Sequence, residues 1–185
     1  MKRSVTALVI VLVGLLGCNR DPASRAGAGQ IDVRWMGSER GRLAGRATAE
    51  WCRVLRLLEI RAIRGDTGVA LAIYPADTIT PGQYRIIAPA RAESLPPAAG
   101  IALRWATQTA VKGFQGESGS VAVDRSPSGE LSGRITATAR SVTDTQRVTI
   151  DGSFRDLMIR PQTRGCARPS KHPDEDAEPS DTQLH

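Results

Sequence analysis

Apolar and polar residues alternate one by one along most of this 185-residue chain, and Gly, Pro, Asp and Ser interrupt the alternation roughly every 10 to 12 residues. A repeat of two puts every second side chain on one face of an extended strand, so each segment buries one face and wets the other. Ile31, Val33 and Trp35 alternate with Asp32 and Arg34. Leu43, Ala47, Ala49 and Trp51 alternate with Arg42, Arg46, Thr48 and Glu50, and Leu58, Ile60 and Ala62 with Glu59 and Arg61. Arg64 to Gly68 reads as a turn into a fourth strand, Val69 to Tyr74. Thr80-Pro81-Gly82-Gln83 predicts a type II turn before Tyr84 and Ile86. A loop from Pro89 to Pro97 precedes Ile101, Leu103 and Trp105.

The C-terminal third repeats the theme. Val121 and Val123 lead into Ser126-Pro127-Ser128-Gly129. Leu131, Ile135, Ala137 and Ala139 then alternate with Arg134, Thr136, Thr138 and Arg140, which predicts a β-hairpin, and Val148, Ile150, Phe154 and Leu157 to Ile159 close the pattern. Short strands so spaced predict an all-β chain, an antiparallel β-sandwich or a partly open barrel of about eight strands. One stretch admits a second reading: Trp51, Val54, Leu55, Leu58 and Ala62 also fit the stripe of an amphipathic helix, leaving residues 51–62 open between strand and helix.

Composition removes several chemistries. Both histidines, His172 and His185, fall near the C-terminus, and the only lysine between residues 4 and 170 is Lys112. Ser-His-Asp and Cys-His catalysis therefore lack their base, and histidine metal sites lack their ligand. No cofactor, metal ion or catalytic residue is expected. Only seven residues are aromatic, and Trp35, Trp51 and Trp105 fall on the apolar phase of their strands, which assigns them to the core. A glycosidase-like pair of acids is the one hydrolase chemistry left open, with Asp66, Asp77, Asp124, Asp144 and Asp156 near turns.

The first twenty residues carry an address. Lys2 and Arg3 precede an apolar run from Val5 to Leu16, too short for a membrane-spanning helix and of the length of a secretory signal. Its ending, Leu15-Leu16-Gly17-Cys18, resembles the lipobox of bacterial lipoproteins. The resemblance implies a signal peptide over residues 1–17, lipidation of Cys18 and attachment to a membrane through its acyl chains. Asn19, where an Asp would favour the inner membrane, implies the outer membrane and a periplasm-facing protein. Gly119 to Phe154 is loosely similar to the hairpins of uncharacterised bacterial lipoproteins with β-sandwich-like domains, which implies fold and no chemistry.

With Cys18 assigned to lipid, Cys52 and Cys166 remain, and an even pair in an exported chain predicts a disulfide. Residues 18–30 are small and polar and read as the lipidated N-terminus and a flexible tether. Residues 31–166 form the β domain. Residues 167–185, with Asp174, Glu175, Asp176, Glu178 and Asp181, read as a disordered acidic tail. Setting aside the signal (two bases) and the tail (two bases, five acids) leaves 21 bases and 14 acids in residues 19–166.

Those bases gather early. Arg34, Arg42, Arg46, Arg53, Arg56 and Arg61 are the residues expected to form a basic binding face. Its partner would be an anionic lipid, an envelope polymer or an acidic protein; the bland alternative is a solvated strand face that discourages edge pairing. Nucleic acid is disfavoured by export and by the scarcity of stacking aromatics. The sequence thus points to a lipid-anchored binding or scaffolding module of the cell envelope. A carbohydrate- or cell-wall-polymer-binding accessory domain is the alternative, and a hydrolase with paired carboxylates the third reading.

Overall fold

The computed structural model describes residues 29–162 and Cys166. The signal peptide, Cys18, the tether up to residue 28 and the acidic tail over 167–185 lie outside the described residues.

The strands are β1 (Gly29–Gly37), β2 (Gly41–Cys52), β3 (Leu57–Arg64), β4 (Thr67–Tyr74), β5 (Gly82–Ile86), β6 (Ala98–Ala106), β7 (Val111–Arg125), β8 (Leu131–Ser141), β9 (Arg147–Leu157) and β10 (Ile159–Pro161). One helical turn, α1 (Pro89–Ala92), lies inside the loop expected between Pro89 and Pro97. Strand β1 pairs antiparallel with β2 on one side and β9 on the other, and this double pairing closes the sheet into a nine-strand barrel. Of the two architectures compatible with the alternation, the chain adopts the barrel, and adopts it closed. Closure leaves no long unpaired edge among the described residues to recruit another chain.

Strand β5 enters as a wedge. Strands β6 and β7 pair from Ala102↔Gln115 to Ala106↔Val111, then part, and β5 lies between them, parallel to β6 and antiparallel to β7. The switch of partner falls at the irregularity between Gly116 and Ser118 of β7. A Cβ at Gly116 would lie 2.7 Å from Ile101 Cγ2 and 2.9 Å from Ile86 Cγ2, so a side chain is excluded where the strands diverge. Strand β10 makes the opposite adjustment: past Ala47, where β1 runs out, β2 pairs with β10 in parallel through Ile159↔Ala49 and Pro161↔Trp51.

The apolar phase of every strand points inward. Val33, Leu43, Leu58, Ile60, Leu71, Ile73, Ile86, Phe114, Ile135, Ile150 and Leu157 belong to one continuous core. Trp35, Trp105 and Phe114 stack there, with centroids 5.2 and 5.3 Å apart. A packed interior and a charged exterior reverse the pattern of membrane-spanning barrels, which carry an apolar band outside.

Residues 51–62 are strand, turn and strand. β2 ends at Cys52, residues 53–56 turn, and Trp51 faces its cross-strand partner Leu58, so the helical alternative is overturned. The expected type II turn is replaced by a bend at Pro81, with Gly82 at φ +150° opening β5. The Tyr84 hydroxyl holds this bend by donating to the Thr80 carbonyl at 2.9 Å and accepting from the Thr80 amide at 3.1 Å.

The two ends of the barrel differ. Residues 38–40, 65–66, 107–110 and 142–146 make short connections at one end. The other carries the longer connections 75–81 and 87–97, the start of β1, and the Cys52–Cys166 disulfide, whose Cα atoms are 5.3 Å apart. The expected disulfide is therefore present, and it ties Cys166, beyond β10, to the buried Cys52 at the end of β2.

Candidate functional site

Closure assembles a wall that no contiguous stretch of sequence contains. The outward phases of β2, β1, β9 and β8 lie side by side: Arg46 is opposite Gln30 and Gln30 opposite Arg155. In the next row Ala44, Asp32, Ser153 and Arg134 follow one another, and beyond it Arg42, Arg34, Asp151 and Thr136.

Two adjoining hollows lie on this wall. One, of about 500 Å³, is lined by Gln30, Asp32, Arg42, Arg46, Ser153 and Arg155 among others. The second, of about 340 Å³, is lined by Asp32, Arg34, Arg134, Thr136, Asp151 and Ser153, so Asp32 and Ser153 stand on the ridge between them. Five guanidinium groups thus surround two shallow, open depressions floored by short polar side chains.

The wall's acids are engaged to different degrees. Arg42 grips Asp32 with two bonds, Nε to Oδ1 at 2.8 Å and Nη2 to Oδ2 at 2.6 Å. The Arg42 hydrogen bond holds the Asp32 carboxyl below its ordinary pKa against the opposing effect of burial, and the charges of Arg42 and Arg34 add to it. Arg155 donates to Gln30 Oε1 at 2.6 Å. Arg134 enters no hydrogen bond or ion pair among the described residues, and its five donors face solvent beside Ser153.

Of the six arginines expected to form a basic face, Arg34, Arg42 and Arg46 share this wall. Arg53 and Arg56 sit in the turn between β2 and β3, where Arg56 bonds the Ala76 carbonyl at 2.8 Å and Asp77 at 2.7 Å. Arg61 stands on β3, paired with Glu59. The six are therefore divided between the wall, a turn and the neighbouring strand. Arg134 and Arg155 take the places that Arg53, Arg56 and Arg61 do not fill. Their outward phase in the β8–β9 hairpin is visible in the alternation, but their proximity to Arg34 exists only because β9 closes on β1.

Elsewhere part of the outer charge is paired, while Arg53, Arg85, Arg91 and Arg104 are exposed with no ion pair among the described residues. Glu117 accepts from Arg147 at 2.9 Å and pairs with Arg140 at 3.2 Å, and the Arg147 bond lowers its pKa. The outward positions Gly68, Ala70, Ala72, Gly100 and Ala102 on β4 and β6 carry no charge. Trp35 is 4 % exposed, and Trp51 and Trp105 pack against the core, so the tryptophans form no external stacking row. Among the described residues no group of three or more His, Cys, Asp or Glu is arranged to hold a metal ion.

Comparison of the chain with protein-family models, curated proteins and solved structures finds no match.

Proposed function

We propose that this chain is a lipid-anchored envelope protein, attached through Cys18 and facing the periplasm, whose arginine wall docks an envelope component bearing closely spaced phosphate or carboxylate groups. The observation that carries the reading is the convergence of Arg34, Arg42, Arg46, Arg134 and Arg155 from four strands around two adjoining hollows. Guanidinium groups bind such anions through paired, charge-assisted hydrogen bonds. A row of them on a rigid sheet meets a repeating polyanion without first having to be ordered, which lowers the cost of binding. Ser153 and Thr136 add hydroxyl donors within the hollows.

The carbohydrate reading draws less support, because the tryptophans are spent on the core. The hydrolase reading needs a carboxyl that keeps its proton near neutral pH. Asp32, which lines both hollows, is instead held ionised by Arg42.

The test is binding of the unlipidated mature chain to two soluble probes, short-chain polyphosphate and polyglutamate, over a series of salt concentrations. Affinity is expected to fall as salt rises, because exposed charges are screened. An Arg34→Gln/Arg134→Gln variant should bind about tenfold more weakly with an unchanged unfolding midpoint, as loss of charge-assisted hydrogen bonds requires. The stronger of the two probes names the anion. Equal binding by variant and parent, or no binding of either probe at low salt, rejects the wall as a docking site.

A further inference from the structure

We infer that the acidic C-terminal segment, Asp174 to Asp181, docks on the arginine wall of its own barrel and competes there with outside anions. The inference rests on the proposed anion-docking role only for its regulatory half; the docking itself concerns this chain alone.

Three observations carry it. The first is the anchor. Cys52 ends β2, the strand that carries Arg46 and Arg42, and the disulfide ties Cys166 to it, so whatever follows Cys166 starts from the end of the wall's own strand. The second is reach. Strands rise about 3.3 Å per residue, which puts Arg46 about 20 Å and Arg42 about 33 Å along β2 from Cys52. Asp174 lies eight residues beyond Cys166, so it can reach at most about 26–29 Å, and Glu178 correspondingly further. The acidic block therefore has the length to cover the stretch from Arg46 to Arg42 and the adjacent Arg34.

The third is charge. Residues 174–178 read Asp-Glu-Asp-Ala-Glu, with Asp181 three residues on, and carry no base. Two of the competing arginines are occupied: Arg61 and Arg56 already hold Glu59 and Asp77. Arg53 in the turn after β2 and Arg104 on β6 are exposed and enter no ion pair among the described residues, and they are the rival sites that the experiment below separates from the wall. On the wall, Arg134 is committed to no acid among the described residues, and Arg34 faces Asp151 without forming an ion pair.

Tethering makes weak contacts sufficient. A segment joined by a short linker meets its site at an effective concentration in the millimolar range, so a few screened ion pairs keep the wall partly occupied. A polyanion arriving from outside must displace it. The tail would thus set an affinity threshold that rises at low salt and fades at high salt.

The experiment compares the unlipidated mature chain with a variant carrying Asp174→Asn, Glu175→Gln, Asp176→Asn, Glu178→Gln and Asp181→Asn. In amide NMR spectra at low salt, signals of Arg34, Arg42, Arg46, Thr136 and Ser153 should differ between the two proteins and converge at 0.5 M salt, about where the screening length falls below 5 Å. Spectra of residues 29–162 that superimpose at low salt overturn the docking, as do differences confined to the 53–56 turn or to β4 and β6. In the same samples short-chain polyphosphate should bind the neutralised variant about three- to tenfold more tightly than the parent, the range that millimolar tethering of a weak contact produces. Equal polyphosphate affinity alongside the NMR differences overturns the competition and leaves the docking standing. Failure of both proteins to bind polyphosphate counts against the anion-docking role, while the NMR comparison still decides the docking.

Discussion

Gly41 lies flat against the indole of Trp35: a Cβ built on Gly41 would overlap Cζ2 and come within 2.5 Å of Cε2. The two are cross-strand partners at the short-loop end of the barrel, and the missing side chain is what lets Trp35 turn inward and stack on Trp105. Gly41→Ala should therefore destabilise the barrel by about 1–3 kcal/mol through overpacking. The near-ultraviolet circular dichroism of the stacked tryptophans should change with it. An unchanged urea midpoint would mean the indole has room the structure does not show.

The Cys52–Cys166 bond closes a loop of 114 residues that holds nearly every strand. In the chain-entropy account a loop of that size is worth up to about 4–5 kcal/mol. The bond also holds the end of the chain close to the short parallel pairing of β10 with β2. Cys52→Ser/Cys166→Ser should lower the guanidinium midpoint and make the chain beyond Leu157 the first site of proteolysis. A parent protein whose midpoint is the same with and without reductant would contradict this.

The alternation displayed the strands well because inside and outside differ sharply in a barrel packed with Val, Ile and Leu. Trp51 and Leu58 show how: their spacing fits a helix, but the unbroken alternation of Leu58 to Ala62 belongs to a strand, and the strand prevailed. The first half of β7 was harder to see, since Lys112 points toward the core phase and pairs with Glu39 at 3.1 Å, while Gly113 and Gly116 leave gaps in the pattern. The site was legible only in part. Arg34, Arg42 and Arg46 belong to one hairpin and could be grouped by proximity along the chain. Arg134 and Arg155 are roughly a hundred residues away, and only the β1–β9 pairing, a contact without local signature, brings them alongside.

Asp32 gives the wall a pH dependence whose sign is fixed. Its folded-state pKa is lowered, chiefly by the Arg42 hydrogen bond, so the pair contributes stability above the ordinary carboxylate range and loses it as pH falls through the lowered value. Asp32→Asn should flatten the acid limb of a melting-temperature profile while leaving the profile above pH 6 parallel to the parent's. It should also free Arg42 and raise polyanion affinity at neutral pH. If the acid limb keeps its slope in the variant, another carboxylate governs it, and Glu117, lowered by Arg147, is the next to replace.

Orientation follows from which end carries the chain's N-terminal approach. Strand β1 begins at Gly29 on the end that also bears the disulfide, so a lipid on Cys18, eleven residues earlier, would draw that end toward the bilayer and leave the short-loop end, with Met36, Ile63, Val111 and Val142 exposed, pointing away. Cys18→Ser in a Gram-negative host should abolish incorporation of labelled palmitate and move the protein from the membrane to the soluble periplasmic fraction. The barrel should stay folded with its disulfide intact, because none of its strands, the first of which begins at Gly29, contains Cys18. In the lipidated protein, trypsin added from the aqueous side should cut at Lys112 at the far end more readily than at Arg53 beside the disulfide. Palmitate uptake and fractionation identical in Cys18→Ser and parent would remove the anchor, and with it this orientation, while leaving the wall and its arginines to be judged on their own binding.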